Sequence, residues 1–130
     1  GPSALTPHAG ELGRLLGRHS AAVAAARLGS VSEAAERSQA AVLLKGPDTL
    51  VAAPDEPLRV VETPVPQLAT AGAGDVLAGA VGALSARGLA PSQALALAAV
   101  AHGSAARMAV AEAGAIVATD LLLPLGRLLA

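Results

Sequence analysis

Apolar positions change their spacing along the chain, and each change marks an element. In "TPHAGELGRLLG", from Thr6, Leu12, Leu15 and Leu16 fall on one helical face. Pro7 suits a first turn there, Glu11 sits near the positive end of the helix, and Gly17 closes the run. A second helical stretch, 22–38, is rich in alanine and closes on "ERSQ"; Leu28-Gly29-Ser30 predicts a break, with Ser30 or Ser32 capping the helix beyond it. "AVLLKG" is short and does not alternate, which predicts a buried strand ended by Lys45 and Gly46. "TLVAA" and "LRVVE" flank Pro54-Asp55-Glu56-Pro57 and predict a hairpin with an acidic, proline-rich turn. "TPVPQLATAGAG" reads as a loop; after it 75–86 and 92–113 are helical, the first ending at Gly88 as a C′ glycine. In the tail, "TDLLLPLGRLLA", Thr119 offers a cap while Pro124 and Gly126 interrupt the pattern. Strands in the middle with helices on both sides give the α/β class, and no internal repeat is visible.

Composition narrows this picture. The 130 residues fit a single domain, with more than half of them apolar, yet there is no Phe, Tyr or Trp. The core therefore has to be built from Ala, Val and Leu, which pack closely but bury little area each, so the expected stability is modest. Nine basic and ten acidic residues give a net charge of -1 without a Lys/Arg cluster, which argues against a nucleic-acid partner. No cysteine is present and the three histidines are scattered, which leaves no thiolate metal site and points to a cytoplasmic, metal-independent fold. Pro91, Ser92, Gln93, His102 and Arg107 break the apolar text before it reaches the roughly 20 residues of a bilayer span, so no membrane partner is expected. Gly1-Pro2-Ser3 is compatible with a native start or with a cleavage scar.

The chemistry concentrates in "ATAGAGDVLAG", 69–79. Asp75 follows Gly72 and Gly74 and precedes an apolar helix. Glycines let a bulky group approach the backbone, and the free N–H groups of a first helical turn, here around Gly72, Ala73 and Gly74, form an anion site. A carboxylate beside such a site can take the proton of a hydroxyl attacking a bound phosphorus. Asp75 as an ordinary helix cap after a glycine turn explains the same pattern. Neither the Walker sequence nor the dinucleotide fingerprint is present.

Taken in order, "TPHAGELGRLLG", "LLKGPDTLVAAPD", "ATAGAGDVLAGAVGALSARGL" and "AVAHGSAARMA" resemble the bacterial ADP-dependent NAD(P)H-hydrate dehydratases, over nearly the whole chain. The resemblance implies the ribokinase-like α/β fold, with helices flanking a central sheet. It also implies that Asp75 is the acidic residue beside the substrate hydroxyl, and that Gly74 contacts the nucleotide. Lys45, Gly46, Pro47, Asp48 and Thr49 match the segment that lines the adenine nucleotide, and His8 matches the position that contacts the hydrated nicotinamide. Each has a plainer reading: Lys45 as the polar end of a strand, His8 as a solvated first-turn residue, Glu11 as a macrodipole partner. His102 reads as a core histidine bonded to backbone.

Two departures from the family pattern stand out. Glu62, Thr63, Pro64 and Val65 occupy the approach to the loop, and Ala71 and Ala73 replace a glycine and a threonine, which removes a hydroxyl donor from the anion site. The chain also starts close to the Thr-Pro-His segment, so the resemblance implies about the C-terminal half of the domain, inactive alone. Its partners would be the N-terminal half, further copies of itself, or both. The implied reaction is dehydration of hydrated NADH or NADPH at the expense of ADP, or ATP, with Mg2+ accompanying the nucleotide. An ATP-dependent small-molecule kinase of the same fold, and a non-catalytic nucleotide-binding half-domain, are the competing readings.

Overall fold

The computed structural model describes residues 3–62 and 65–130. The Gly1-Pro2 opening and the Thr63-Pro64 part of the loop approach lie outside the described residues. Four strands, β1 (Ala4–Leu5), β2 (Ala41–Leu44), β3 (Asp48–Ala52) and β4 (Arg59–Glu62), form a mixed sheet in the order β1-β2-β3-β4. β1 runs parallel to β2, with Ala4 opposite Ala41. β3 is antiparallel to both neighbours, with Val51 opposite Leu43 and Leu50 opposite Val60. The expected hairpin is thus β3–β4. In its turn Asp55 takes φ +60° and the Glu56 amide donates to the Ala53 carbonyl at 3.2 Å.

Helices cover both faces. The side chains of β2 alternate, so Val42 and Leu44, with Leu50 and Ala52 of β3, pack on Leu12, Val23, Val31 and Ala34 from α1 (Ala9–Leu16), α2 (Ser20–Ala25) and α3 (Arg27–Ser38). Ala41, Leu43, Val51 and Ala53 face the other way. They meet Leu77 and Leu84 of α4 (Ala73–Ala86), Leu95, Ala98 and Ala105 of α5 (Pro91–Ala113), and Leu125 of α6 (Leu122–Leu128). A strand covered on both faces has no polar side to show, which is why "AVLL" does not alternate. Leu, Val and Ala do fill the core, joined by Ile116.

Several boundaries differ from the sequence pattern for local reasons. α1 starts after His8, so Pro7 precedes the helix, and Leu15 is 44% exposed rather than sharing the buried face of Leu12 and Leu16. The break before α3 falls at Ala26 (φ −139°, ψ 55°), and Ser30 is buried inside the helix instead of capping it. Gly88, at φ +91°, follows α4 as the pattern requires. In the tail, the Asp120 carboxylate accepts from the Val117 amide at 2.8 Å, a capping role the pattern gave to Thr119. Pro124 lies in the first turn of α6, where its missing N–H costs nothing, and the helix continues across Gly126. The residues expected to break the apolar text all lie within the 23 residues of α5, or at its first turn. By length and composition α5 is apolar enough to cross a membrane, but more than half of that stretch is buried inside the fold, as in a core helix.

Candidate functional site

Parallel pairing brings the site together. The Ala41 amide donates to the Ser3 carbonyl at 3.0 Å and the Lys45 amide to the Pro7 carbonyl at 3.1 Å, so the β1–β2 register extends beyond β1. It delivers His8, at the start of α1, and Lys45, at the end of β2, to the carboxyl end of the two parallel strands. That end of an open α/β sheet is where ligands bind. A cavity of about 680 Å³ opens there. Its lining includes His8 from the start of α1, Lys45, Gly46, Pro47 and Thr49 from the β2–β3 turn and the start of β3, and Thr70, Ala73, Gly74 and His102 from around α4 and α5, while Val65, Leu68, Leu77 and Ala99 make it apolar.

The first turn of α4 is the most unusual part of the wall. Gly72 sits at φ +86° as its N-cap, and no side chain closes the helix end. The Ala73 amide donates to the Thr70 carbonyl and the Val76 amide to the Gly72 carbonyl, at 3.2 and 3.1 Å. The Gly74 and Asp75 amides take no part in the described hydrogen bonds outside regular helix and strand pairing, as expected of first-turn donors. Lys45 reaches this end: a Cβ built at Gly74 would lie 3.0 Å from Nζ. An ammonium set against the positive end of a helix is repelled by it, and an anion placed between them relieves both.

Two histidines flank that point differently. His8 caps α1: its Nδ1 accepts from the Glu11 amide at 3.1 Å, and the Glu11 carboxylate accepts from the His8 amide at 3.1 Å. Because Nδ1 is an acceptor, neutral His8 carries its proton on Nε2, which lies 3.2 Å from Glu11 Oε1. The His8 amide bond holds the Glu11 carboxyl below its ordinary range; slight burial opposes this, while the charges of His8, Lys45 and Arg14 add to it. His102, on α5, is only 7% exposed, and its Nε2 has no hydrogen-bond partner among the described residues. Burial pushes its pKa down, the Ala73 carbonyl opposes this and the charge of Lys45 reinforces it, which favours the neutral ring.

The structure therefore gathers His8, Lys45, Gly46, Pro47, Thr49, Ala73 and Gly74 around one cavity. Gly72, Asp48 and Asp75 adjoin it in sequence without forming its wall. Asp75 is exposed in the first turn of α4, next to Gly74. Asp48 is exposed as well, and its carbonyl accepts from Arg27 Nη2 at 2.7 Å. Arg27 has no local sequence signal; Thr70, Leu77 and Val65 lie in or beside the 69–79 segment, whose pattern assigns them no role in a cavity. His102 has a weak signal, a titratable residue within an apolar helical stretch; it is buried as that stretch implies, yet it also lines the cavity.

Residues 1–125 match the family model of the NAD(P)H-hydrate dehydratases. The chain belongs to this family. It is 44% identical over 124 residues to a bifunctional NAD(P)H-hydrate repair enzyme of Moorella thermoacetica, covering 94% of this chain and 23% of that protein. It is 44% identical over 110 residues to an ADP-dependent (S)-NAD(P)H-hydrate dehydratase of Neisseria meningitidis, covering 85% and 37%. The fold matches the ADP/ATP-dependent NAD(P)H-hydrate dehydratase of Bacillus subtilis, crystallised with ATP and Mg2+. The TM-score is 0.89 at 32% identity, over 98% of this chain and 47% of that one. A hydroxyethylthiazole kinase of Pyrococcus horikoshii, at 24% identity and TM-score 0.77, shares the fold alone. The architecture is thus ribokinase-like, and the chain spans about half of these solved structures and well under half of the curated relatives.

Proposed function

We propose that this chain forms the nucleotide side of an enzyme that dehydrates hydrated NADH or NADPH using ADP, with ATP as the alternative donor. The observation that carries this is the convergence of the Lys45 ammonium on the uncapped first turn of α4, at the cavity where the parallel strands end. In this reading the adenine nucleotide lies along Lys45–Thr49 and the apolar wall, and its phosphates meet Lys45 and the amides of Ala73, Gly74 and Asp75. The described residues contain no group of three or more metal ligands. Mg2+ would then be held by phosphate oxygens and water, and no step needs a protein cage for it.

Asp75 takes the proton from the ring hydroxyl as that oxygen forms its bond to the terminal phosphorus, while the bond to the departing nucleotide, AMP from ADP, breaks. Fixed N–H dipoles of α4 and Lys45 offset charge on the transferred group. The second step expels phosphate as the ring double bond forms and the neighbouring carbon gives up a proton to solvent water. His8, which lines the same cavity, contacts the hydrate in this reading. Because the chain spans about half of the solved relatives, the remaining wall is proposed to come from the other half of the domain or from a second copy.

The test is recovery of NADH absorbance from NADH hydrate with ADP and Mg2+, using the full gene product that carries this chain. Asp75→Asn is expected to lower turnover by about 10²–10⁴-fold while ADP affinity stays within about twofold. Undiminished turnover in Asp75→Asn would remove the acid–base role. Phosphorylated hydrate accumulating without NADH would favour the kinase reading.

A further inference from the structure

Arg27 opens α3 and lies outside the cavity wall, yet its guanidinium is committed to the loop between β2 and β3. Nη2 donates to the Asp48 carbonyl at 2.7 Å, across 21 residues of sequence. The same group fills the space that a side chain at Gly46 would need: a Cβ built there would overlap Nη2 and lie 2.8 Å from Cζ. Gly46 is not among the residues with positive φ, so its backbone conformation does not call for glycine; a side chain there would instead have to push the Arg27 guanidinium aside. Among the described residues Arg27 forms no ion pair that would draw it elsewhere.

Each end of this loop is otherwise tied differently. Lys45 is anchored through its amide to the Pro7 carbonyl, and Asp48 and Thr49 pair with Glu62 and Val61 of β4. The turn between, Gly46 and Pro47, has Arg27 against it from the α3 side while its other side lines the cavity. We propose that Arg27 is a positioning residue of the nucleotide loop: by bonding the Asp48 carbonyl and occupying the space over Gly46, it sets the turn that aims Lys45 at α4. This rests on the nucleotide reading above.

The geometry has a consequence that separates positioning from general support. A methyl group at position 46 must displace the flexible guanidinium, so Gly46→Ala and Arg27→Ala remove the same contact and their effects should not add. The experiment is titration of ADP with Mg2+ against the wild-type protein, Arg27→Ala, Arg27→Lys, Gly46→Ala and the Arg27→Ala/Gly46→Ala double variant. Arg18→Ala serves as a control, because Arg18 pairs with Glu33 of α3 at 2.7 Å and does not touch the loop. Expected are a Kd raised about three- to tenfold in Arg27→Ala and Gly46→Ala, no further rise in the double variant, partial recovery in Arg27→Lys, and wild-type affinity in Arg18→Ala. Normal wild-type affinity left unchanged by Arg27→Ala, or fully additive effects, would overturn the proposal while leaving the nucleotide reading intact. Failure of the wild-type protein to bind ADP would overturn the nucleotide reading itself, and the role of Arg27 with it.

Discussion

The first turns of α1 and α4 both meet the cavity, and they are finished in opposite ways. At α1 the His8 ring and the Glu11 carboxylate close a reciprocal box over two amides, and the helix end is satisfied by its own side chains. At α4 a left-handed glycine turns the chain in, no side chain caps it, and Lys45 stands against Gly74. A self-capped end contributes stability and offers little to an anion. An open end facing a cation gives up that stability and keeps its donors for a ligand. On the proposed reading the difference divides labour within one cavity: α1 holds His8 still, and α4 is left open to bind phosphate.

The largest effect should come from breaking the open end. Gly72→Val forces a β-branched residue to φ +86°, with its Cβ about to meet Ala118 Cβ at 3.1 Å. Denaturant titration should show a loss of about 2 kcal/mol, together with loss of ADP binding. Lys45→Met should raise the Kd for ADP about tenfold and flatten its dependence on salt, with unfolding no easier than in wild type because the cation and the helix end no longer repel each other. His8→Ala opens α1 and should cost about 1 kcal/mol, largely restored by His8→Ser, which keeps a capping oxygen.

The smallest effects are in pH dependence, and their signs are set by the two depressed pKa values. Neutral His102 is favoured by the fold, so its contribution is complete above its ordinary value near 6.5 and declines as pH falls below it. Glu11 is favoured as the carboxylate, so its contribution is complete above its ordinary value near 4.5 and is lost as pH falls through the lower folded value. Urea midpoints measured from pH 8 to pH 3 should lose the upper step in His102→Asn and the lower one in Glu11→Gln. Retention of either step in its variant would assign that step to another group.

Elements whose cause is local could be read from the chain. "AVLLKG" becomes β2 because both its faces are covered, and Gly88 ends α4 because the turn needs positive φ. Alanine hid the rest: in 22–38 it favours helix everywhere, so the break at Ala26 had no polar or glycine marker, and Leu28-Gly29-Ser30 drew the boundary instead. In the site, the Lys45–Thr49 and Gly72–Asp75 segments were recognisable as strings, and the fold brings Lys45 to Gly74. The contact of Arg27 with the Gly46 turn and the cavity face of His102 were not, since both arise from packing between elements distant in sequence. Asp75 lies beside the cavity and outside its wall, exposed in the first turn of α4.

The contrast between the two helix ends can be read directly from backbone amide resonances during an ADP titration with Mg2+. If the open first turn of α4 holds the phosphates, the Gly74 and Asp75 amides should move saturably and far more than those of Gly10 and Glu11 in the capped turn of α1. Saturable shifts confined to α1, or ADP binding that leaves Gly74 and Asp75 unmoved, would contradict the assignment of α4 and Lys45 as the anion site.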